Sequence, residues 1–322
     1  MSNRQITLAT AGFERYSKTT KRAQFLSEMD SVIPWERLCR IVERHYPTGD
    51  GPGRPPIGVE RMLRIYFLQH WFNLSDPAVE EALYDSNSMR GFVGIDLGRE
   101  RVPDETTVCK FRHLLEKHRM GKRIFKAVNA HLARSGMTIG RGTIVDATII
   151  HAPSSTKNKA GERDPEMRST QKGNQWYFGM KAHIGVDSKI GLVHSLVATS
   201  ANVHDSQPLG ELLHGKETRV WGDSAYTGQQ AVIERYAPGA KDFTNKRGRR
   251  NNPLTVRDRE SNRTKSRVRA KVEHPFCVVK RLWGFAKVRY RGLAKNENRL
   301  FAAFALSNLF VVRKKLMRLQ GA

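Results

Sequence analysis

Apolar residues recur along this chain in two rhythms, and the change between them divides it. From Gly58 to Gln69 the spacing is helical, with Met62, Leu63, Tyr66 and Phe67 on one side. Asp76-Pro77 reads as a helix start: Asp76 as N-cap, Pro77 at the first helical position, Glu80 and Glu81 in the first turn. Pro103-Asp104-Glu105-Thr106-Thr107 repeats that logic. It opens a helix that turns Val108, Phe111 and Leu115 inward and leaves Lys110, Arg112 and Lys117 outside. A third helix runs from Lys122 to Arg134 and stops at Gly136. These predict an all-α unit over residues 58–138. Residues 1–57 form an arm and linker, polar and irregular except for one helix around Pro34 to Glu43. The Gly/Pro-rich run Gly49 to Pro56 excludes regular structure, and serves either as a plain connector or as an arm carrying Arg54 along a polyanion.

At Arg141 the period shortens. Thr143 to Ile150 is β-branched and apolar, a buried strand. Trp176 to Val186 alternates as a second strand, Asp187-Ser188-Lys189 turns, and Gly191 to Thr199 returns as a third. Ser206 to His214 is a short helix capped by Asp205, Arg219 to Gly222 a fourth strand, Gln229 to Arg235 a helix, and Ala240 to Asn245 a fifth strand. A helix carrying Glu273 follows, and Leu300 to Val312, apolar nearly all round, is a buried helix. Three strands, then strands alternating with helices, is the order of a ribonuclease H-like sheet. The fold class is thus α/β: a mixed sheet flanked by helices over residues 139–322, behind the all-α unit.

Charge sharpens the picture. Fifty-six Lys and Arg against 31 Asp and Glu give +25, which favours a phosphate-bearing partner. A hydrophobic content of 39% with five Trp excludes a merely disordered basic tail. Three scattered cysteines (Cys39, Cys109, Cys277) offer neither zinc nor redox spacing and fit a reducing cytosol. The amino terminus lacks an apolar signal core, and Leu300 to Leu306 is far too short to span a bilayer. We therefore expect a cytoplasmic, nucleoid-associated protein with no membrane partner.

Against this background two acidic residues are out of place. Asp146 interrupts the buried strand Gly142 to Ile150, and a charge there needs a partner. Asp223 follows Val220-Trp221-Gly222 at a strand-to-helix turn, where an N-cap is the plainer role. Glu273 has Arg269 four residues before it and Lys280 seven after, one face of a continuous helix unless Pro275 breaks it. Phosphodiester chemistry with two divalent ions needs a few carboxylates and no His or Cys cluster. The basic block Asn245 to Lys271, which includes Arg267, and the polar loop Ser154 to Gln175, with Lys157 and Lys172, are candidate nucleic-acid contacts. The alternative for the basic block is a solvated, flexible face.

At this point the chain resembles a bacterial insertion-sequence transposase of the DDE type, close to the insertion-sequence-five family. The likeness rests on Val145-Asp146-Ala147-Thr148, Ser154 to Asn158, Arg163 to Met167, Gly173 to Lys181, Gly222 to Tyr226 and the Glu273 helix. It implies that Asp146, Asp223 and Glu273 are catalytic and hold two Mg2+ ions, with Mn2+ able to substitute. Arg269 and Lys280 match the wider group's helix signature, while Ser266 stands where that signature has Tyr. The resemblance further implies nicking at terminal inverted repeats, joining of the 3′ hydroxyl ends to target DNA, and a homodimer on double-stranded DNA. Arg269, Lys280, Arg267, Lys181, Lys157, Lys172, Lys110, Arg112 and Arg54 are the expected DNA contacts. A nuclease without strand transfer, an inactive DNA-binding derivative and a basic RNA-binding scaffold are the competing readings.

Overall fold

A computed structural model describes residues 18–49, 55–159 and 161–321. Among the described residues two helices, not one, precede residue 50: α1 (Lys21–Val32) and α2 (Trp35–Glu43). The first escapes a reading by pattern because only Leu26, Met29 and Val32 of it are buried, a narrow stripe among charges. Four helices follow: α3 (Val59–Trp71), α4 (Asp76–Asp85), α5 (Asn87–Val93) and α6 (Glu105–Lys117). Asp104 caps α6 as expected, accepting from the Thr107 N–H at 2.6 Å. For α4 the cap is Ser75, which accepts from the Ala78 N–H, and Asp76 moves inside the helix. Its carboxylate is thereby freed for a cross-helix ion pair. Helix α7 (Met120–Arg134) ends before Gly136, whose φ of +75° suits a residue without a side chain.

The sheet begins with β1 (Gly142–His151). The expected polar loop after it contains a further strand, β2 (Arg168–Lys172), hairpinned onto β3 (Gln175–Asp187) through Gly173-Asn174. Strand β4 (Val193–Ser200), helix α8 (Leu209–Leu212), strand β5 (Arg219–Trp221), helix α9 (Gln230–Tyr236) and strand β6 (Lys241–Asp242) complete this part. The strand order is β2-β3-β1-β5-β6, with β4 also paired to β3. Strand β1 runs antiparallel to β3 and parallel to β5, and β5 parallel to β6. Antiparallel β1, β3 and β4, with β2 added beside β3, followed by parallel strands joined through helices, make the ribonuclease H-like arrangement.

The basic block is ordered as α10 (Val256–Arg269), fixed by a Thr255/Asp258 capping box, and none of its residues is buried. A 3-10 turn, Ala270–Val272, joins it to α11 (Glu273–Cys277), and a π-helical turn, Val278–Leu282, follows. The last helix, α12 (Leu293–Leu319), is 27 residues long and buried along most of its first half. Ile144, Ile150, Ala182, Ile184 and Val186 on one sheet face belong to the same apolar cluster as α1–α7 and α12. Val145 and Val220 on the other face pack with Leu209, Leu212, Tyr226 and Ile233. Asn308 ties α12 to the sheet: its Oδ1 accepts from the Val193 N–H at 2.9 Å and its Nδ2 donates to the Val193 carbonyl at 2.7 Å. Among the described residues no helix is long and apolar enough to cross a membrane.

Candidate active site

Alternation along β1 puts Asp146 on the face that carries Ile144 and Ile150, opposite Ile184 of β3. It is 9% exposed. One oxygen accepts from the Ala147 N–H at 2.8 Å, and the other accepts from Nη1 of Arg269 at 2.7 Å. Burial pushes this carboxyl up to about 6; the Arg269 charge opposes the rise, and the charges of Asp223 and Glu273 add to it. That coupling places both acidic residues within electrostatic reach of Asp146.

The register explains how Asp223 arrives there. Strands β1 and β5 run parallel with Ile144 opposite Trp221; Asp146 lies two residues further along β1, and Asp223 two residues past the end of β5. Asp223 is also the N-cap of a 3-10 turn, Ser224–Tyr226, accepting from the Ala225 N–H at 2.9 Å through Oδ1. The capping role anticipated as its plainer reading is therefore real, and it coexists with proximity to Asp146.

Glu273 stands at the start of α11, 66% exposed at its side chain, with Oε1 4.0 Å from Nη1 of Arg269. Pro275 does not break the path. Arg269, Glu273 and Val278 all keep right-handed helical dihedrals, and the chain accommodates the missing N–H by tightening before Pro275 and widening into a π turn after it. Lys280 thus stays on the sheet side. Its ammonium donates to Thr148 Oγ1 at 2.9 Å and to the Ile149 carbonyl at 2.8 Å, pinning the helix across β1. Burial pushes its pKa down, and Lys172 and Arg281 push it the same way.

Among the described residues no three His, Cys, Asp or Glu side chains converge tightly enough to hold a metal ion as they stand. One guanidinium lies between Asp146 and Glu273 and supplies positive charge there. The donors nevertheless fit a hard divalent cation: three carboxylates, and no soft ligand required. The Tyr226 hydroxyl, fully buried and without a hydrogen-bond partner, feels the charges of Asp146, Asp205 and Asp223. No period or motif in the sequence singled Tyr226 out beyond its place in Gly222 to Tyr226.

The expected DNA contacts divide. Lys110, Lys157, Lys172 and Arg267 are exposed. Arg112 is not on the outer face as expected; it is buried between helices, paired with Asp76 and with Glu116 at 2.8 Å each. Lys181 pairs with Asp205 at 2.8 Å and donates to the Val203 carbonyl, so Asp205 is an ion-pair partner rather than a helix cap. Arg54 lies outside the described residues. Asp164 and Glu166, in the loop before β2, accept from the Gly292 and Leu293 N–H groups at 2.6 Å each, at the amino end of α12. Sequence gave no signal of this, because the partners lie 128 and 127 residues away.

The mixed sheet and its flanking helices define a ribonuclease H-like fold. The family described as "Transposase DDE domain" matches residues 138–309, and "Transposase domain (DUF772)" matches residues 13–114. The first covers more than half of the chain, and the protein belongs to this family of DDE transposases. Among solved structures, the chain is similar to one described as the cryo-EM structure of piggyBac transposase synaptic complex with hairpin DNA. The identity is 11%, with 91% of this chain and 74% of that chain covered and a TM-score of 0.44.

Proposed function

We propose that this transposase nicks DNA at the terminal inverted repeats of an insertion sequence and joins the freed 3′ hydroxyl ends to target DNA, working as a homodimer. Asp146, Asp223 and Glu273 would hold two magnesium ions, with manganese able to substitute. The ions would supply the charge that activates the attacking oxygen and relieves the leaving one. The observation that carries this reading is the meeting of Asp146 and Glu273, from β1 and α11, within 4.0 Å of a single guanidinium nitrogen. Parallel register brings Asp223 alongside.

The chain's own side chains then have separable tasks. Asp146 is fixed by strand pairing and Asp223 by its N-cap position, and each accepts from a backbone N–H group, so their oxygens are positioned before anything binds. Glu273, more exposed, completes the set from the helix. Arg269 neutralises Asp146 in the resting protein and is free to turn to a phosphate once that charge is otherwise met. Lys280 keeps the helix registered on β1. The helical residues 58–138 would read the repeats, presenting Lys110, while Arg267, Lys172 and Lys157 would hold the flanking backbone.

The test is a nicking and joining assay on an end-containing duplex with magnesium. Asp146→Asn, Asp223→Asn and Glu273→Gln should each lower nicking at least a hundredfold while retaining duplex binding. Nicking that survives Asp146→Asn would refute the site. Nicked products without joined strands would instead mark a nuclease of the same fold.

A further inference from the structure

The β2–β3 hairpin carries a feature that the acidic site does not use. Trp176, near its tip, is 67% exposed. Large aromatic side chains dominate interface energetics, and this one stands in water on a projecting ribbon. Cross-strand pairing puts Trp176 opposite Gln171 and Phe178 opposite Ser169, so both rings share one face of the ribbon. Arg163 lies over the Phe178 ring with its guanidinium carbon 5.6 Å from the centroid. The same arginine lines a cavity of about 310 Å³, whose wall also holds Lys157, Arg289 and Arg291 beside Tyr290. Two acidic residues share that wall, Glu162 and Asp164; Asp164 is engaged by the Gly292 N–H at 2.6 Å. The result is a continuous track: an open indole face, a second ring under a guanidinium, then a small cation-lined cavity.

We infer that this track binds an unpaired DNA strand, with one base stacked on Trp176 and backbone phosphates led past Arg163 into the cavity. The chemistry favours a single strand over a duplex. A base offers its π-face to a side chain only when it is out of the stack, and aromatic faces alternating with cations are how unpaired strands are gripped. The inference deepens, and rests on, the DNA-cleavage reading above, because cleaved ends provide frayed strands. Position agrees with this. Ile184 faces Asp146, and Trp176 stands eight residues back along the same strand, roughly 26 Å away at ~3.3 Å per residue. That is about eight base steps of a single strand from the acidic site.

The experiment measures fluorescence anisotropy of labelled oligo-dT, and of a duplex of equal length and unrelated sequence, on the full-length protein. Trp176→Ala should raise Kd for oligo-dT about tenfold, within the range for loss of one stacked base, and should raise the duplex Kd much less. Trp176→Phe should restore most of the oligo-dT affinity. Arg163→Gln with Arg291→Gln should weaken oligo-dT binding and flatten its salt dependence. Oligo-dT affinity unmoved by Trp176→Ala would overturn the inference, as would equal losses on oligo-dT and duplex. Tighter wild-type binding of oligo-U than of oligo-dT would overturn it in favour of RNA. Failure of the acidic site is scored separately by the nicking assay, so the two readings fall independently.

Discussion

Asp146 is the residue whose charge state has most leverage. Its folded carboxyl titrates at about 6 rather than 3.8, chiefly through burial. The folded protein therefore holds a proton in the window between about pH 4 and 6 where the unfolded chain has lost it. Stability must fall as pH rises through that window and stay reduced above it. The difference amounts to about 3 kcal/mol. In chelator, Asp146→Asn should consequently be more stable than wild type near neutral pH, and the gap should close below about pH 4. Thermal melts across pH check this, and parallel curves for the two proteins would contradict it. Magnesium should reverse the order, raising Tm of wild type and leaving the variant unmoved, because only a protein with the ligand intact gains from mass action. Lys280 gives a second test at this scale. If its ammonium is a strut between α11 and β1, Lys280→Met should cost about 1–3 kcal/mol in urea unfolding without DNA, from the polar groups left unpaired at Thr148 and Ile149. A side chain that served DNA alone would show no change.

Among the elements, helix packing turns on one close approach. Gly121 in α7 donates its N–H to Asn298 Oδ1 of α12 at 2.7 Å, and a Cβ built on it would lie 2.1 Å from the Asn298 carbonyl oxygen. Intrinsic helix propensity says that Gly121→Ala should stabilise by about 1 kcal/mol. The clash is with backbone and cannot be relieved by a rotamer, so the variant should lose about 2–3 kcal/mol instead. Equilibrium unfolding decides by sign alone. This contact also shows where sequence reading stops. The helices α3, α6 and α7 and strands β1, β3 and β4 were legible because their apolar period repeats over several turns or alternations. Asp146 was legible for the complementary reason, as a charge inside an apolar strand. Helix α1, with three buried residues, and β2, with a mostly exposed pattern, carry too little period to be read. Arg112 was misplaced because spacing puts it beside Lys110, whereas its partner Asp76 lies on another helix and was itself mistaken for a cap. Pairings across 36 or 128 residues leave no trace in local pattern.

For the whole molecule the governing quantity is charge. A surplus of +25 must be spread over surface that a packed core cannot absorb, and α10 shows how. It is mostly polar with no buried residue, yet it is anchored at its first turn and along its length, and Val268 near its end packs against the main apolar cluster. Lys246 pairs with Asp258 at 2.6 Å, Asn245 bonds Ser266 at 3.0 Å, and Lys265 donates to the Thr244 carbonyl at 2.9 Å. The remaining cations, Arg263 and Arg267 among them, are exposed. A helix fixed in place with its cations outward would serve as a rigid phosphate-binding rail leading to Arg269 and Glu273. Duplex binding should therefore weaken with salt by about a thousandfold or more between 50 and 200 mM if six or more phosphates are neutralised. Arg263→Gln with Arg267→Gln should reduce the slope of log K against log salt by about two and weaken specific and unrelated duplexes alike, since phosphate contacts carry no sequence. A variant whose slope is unchanged would remove α10 from the DNA path. One that lost affinity only for the end sequence would make it a base reader instead.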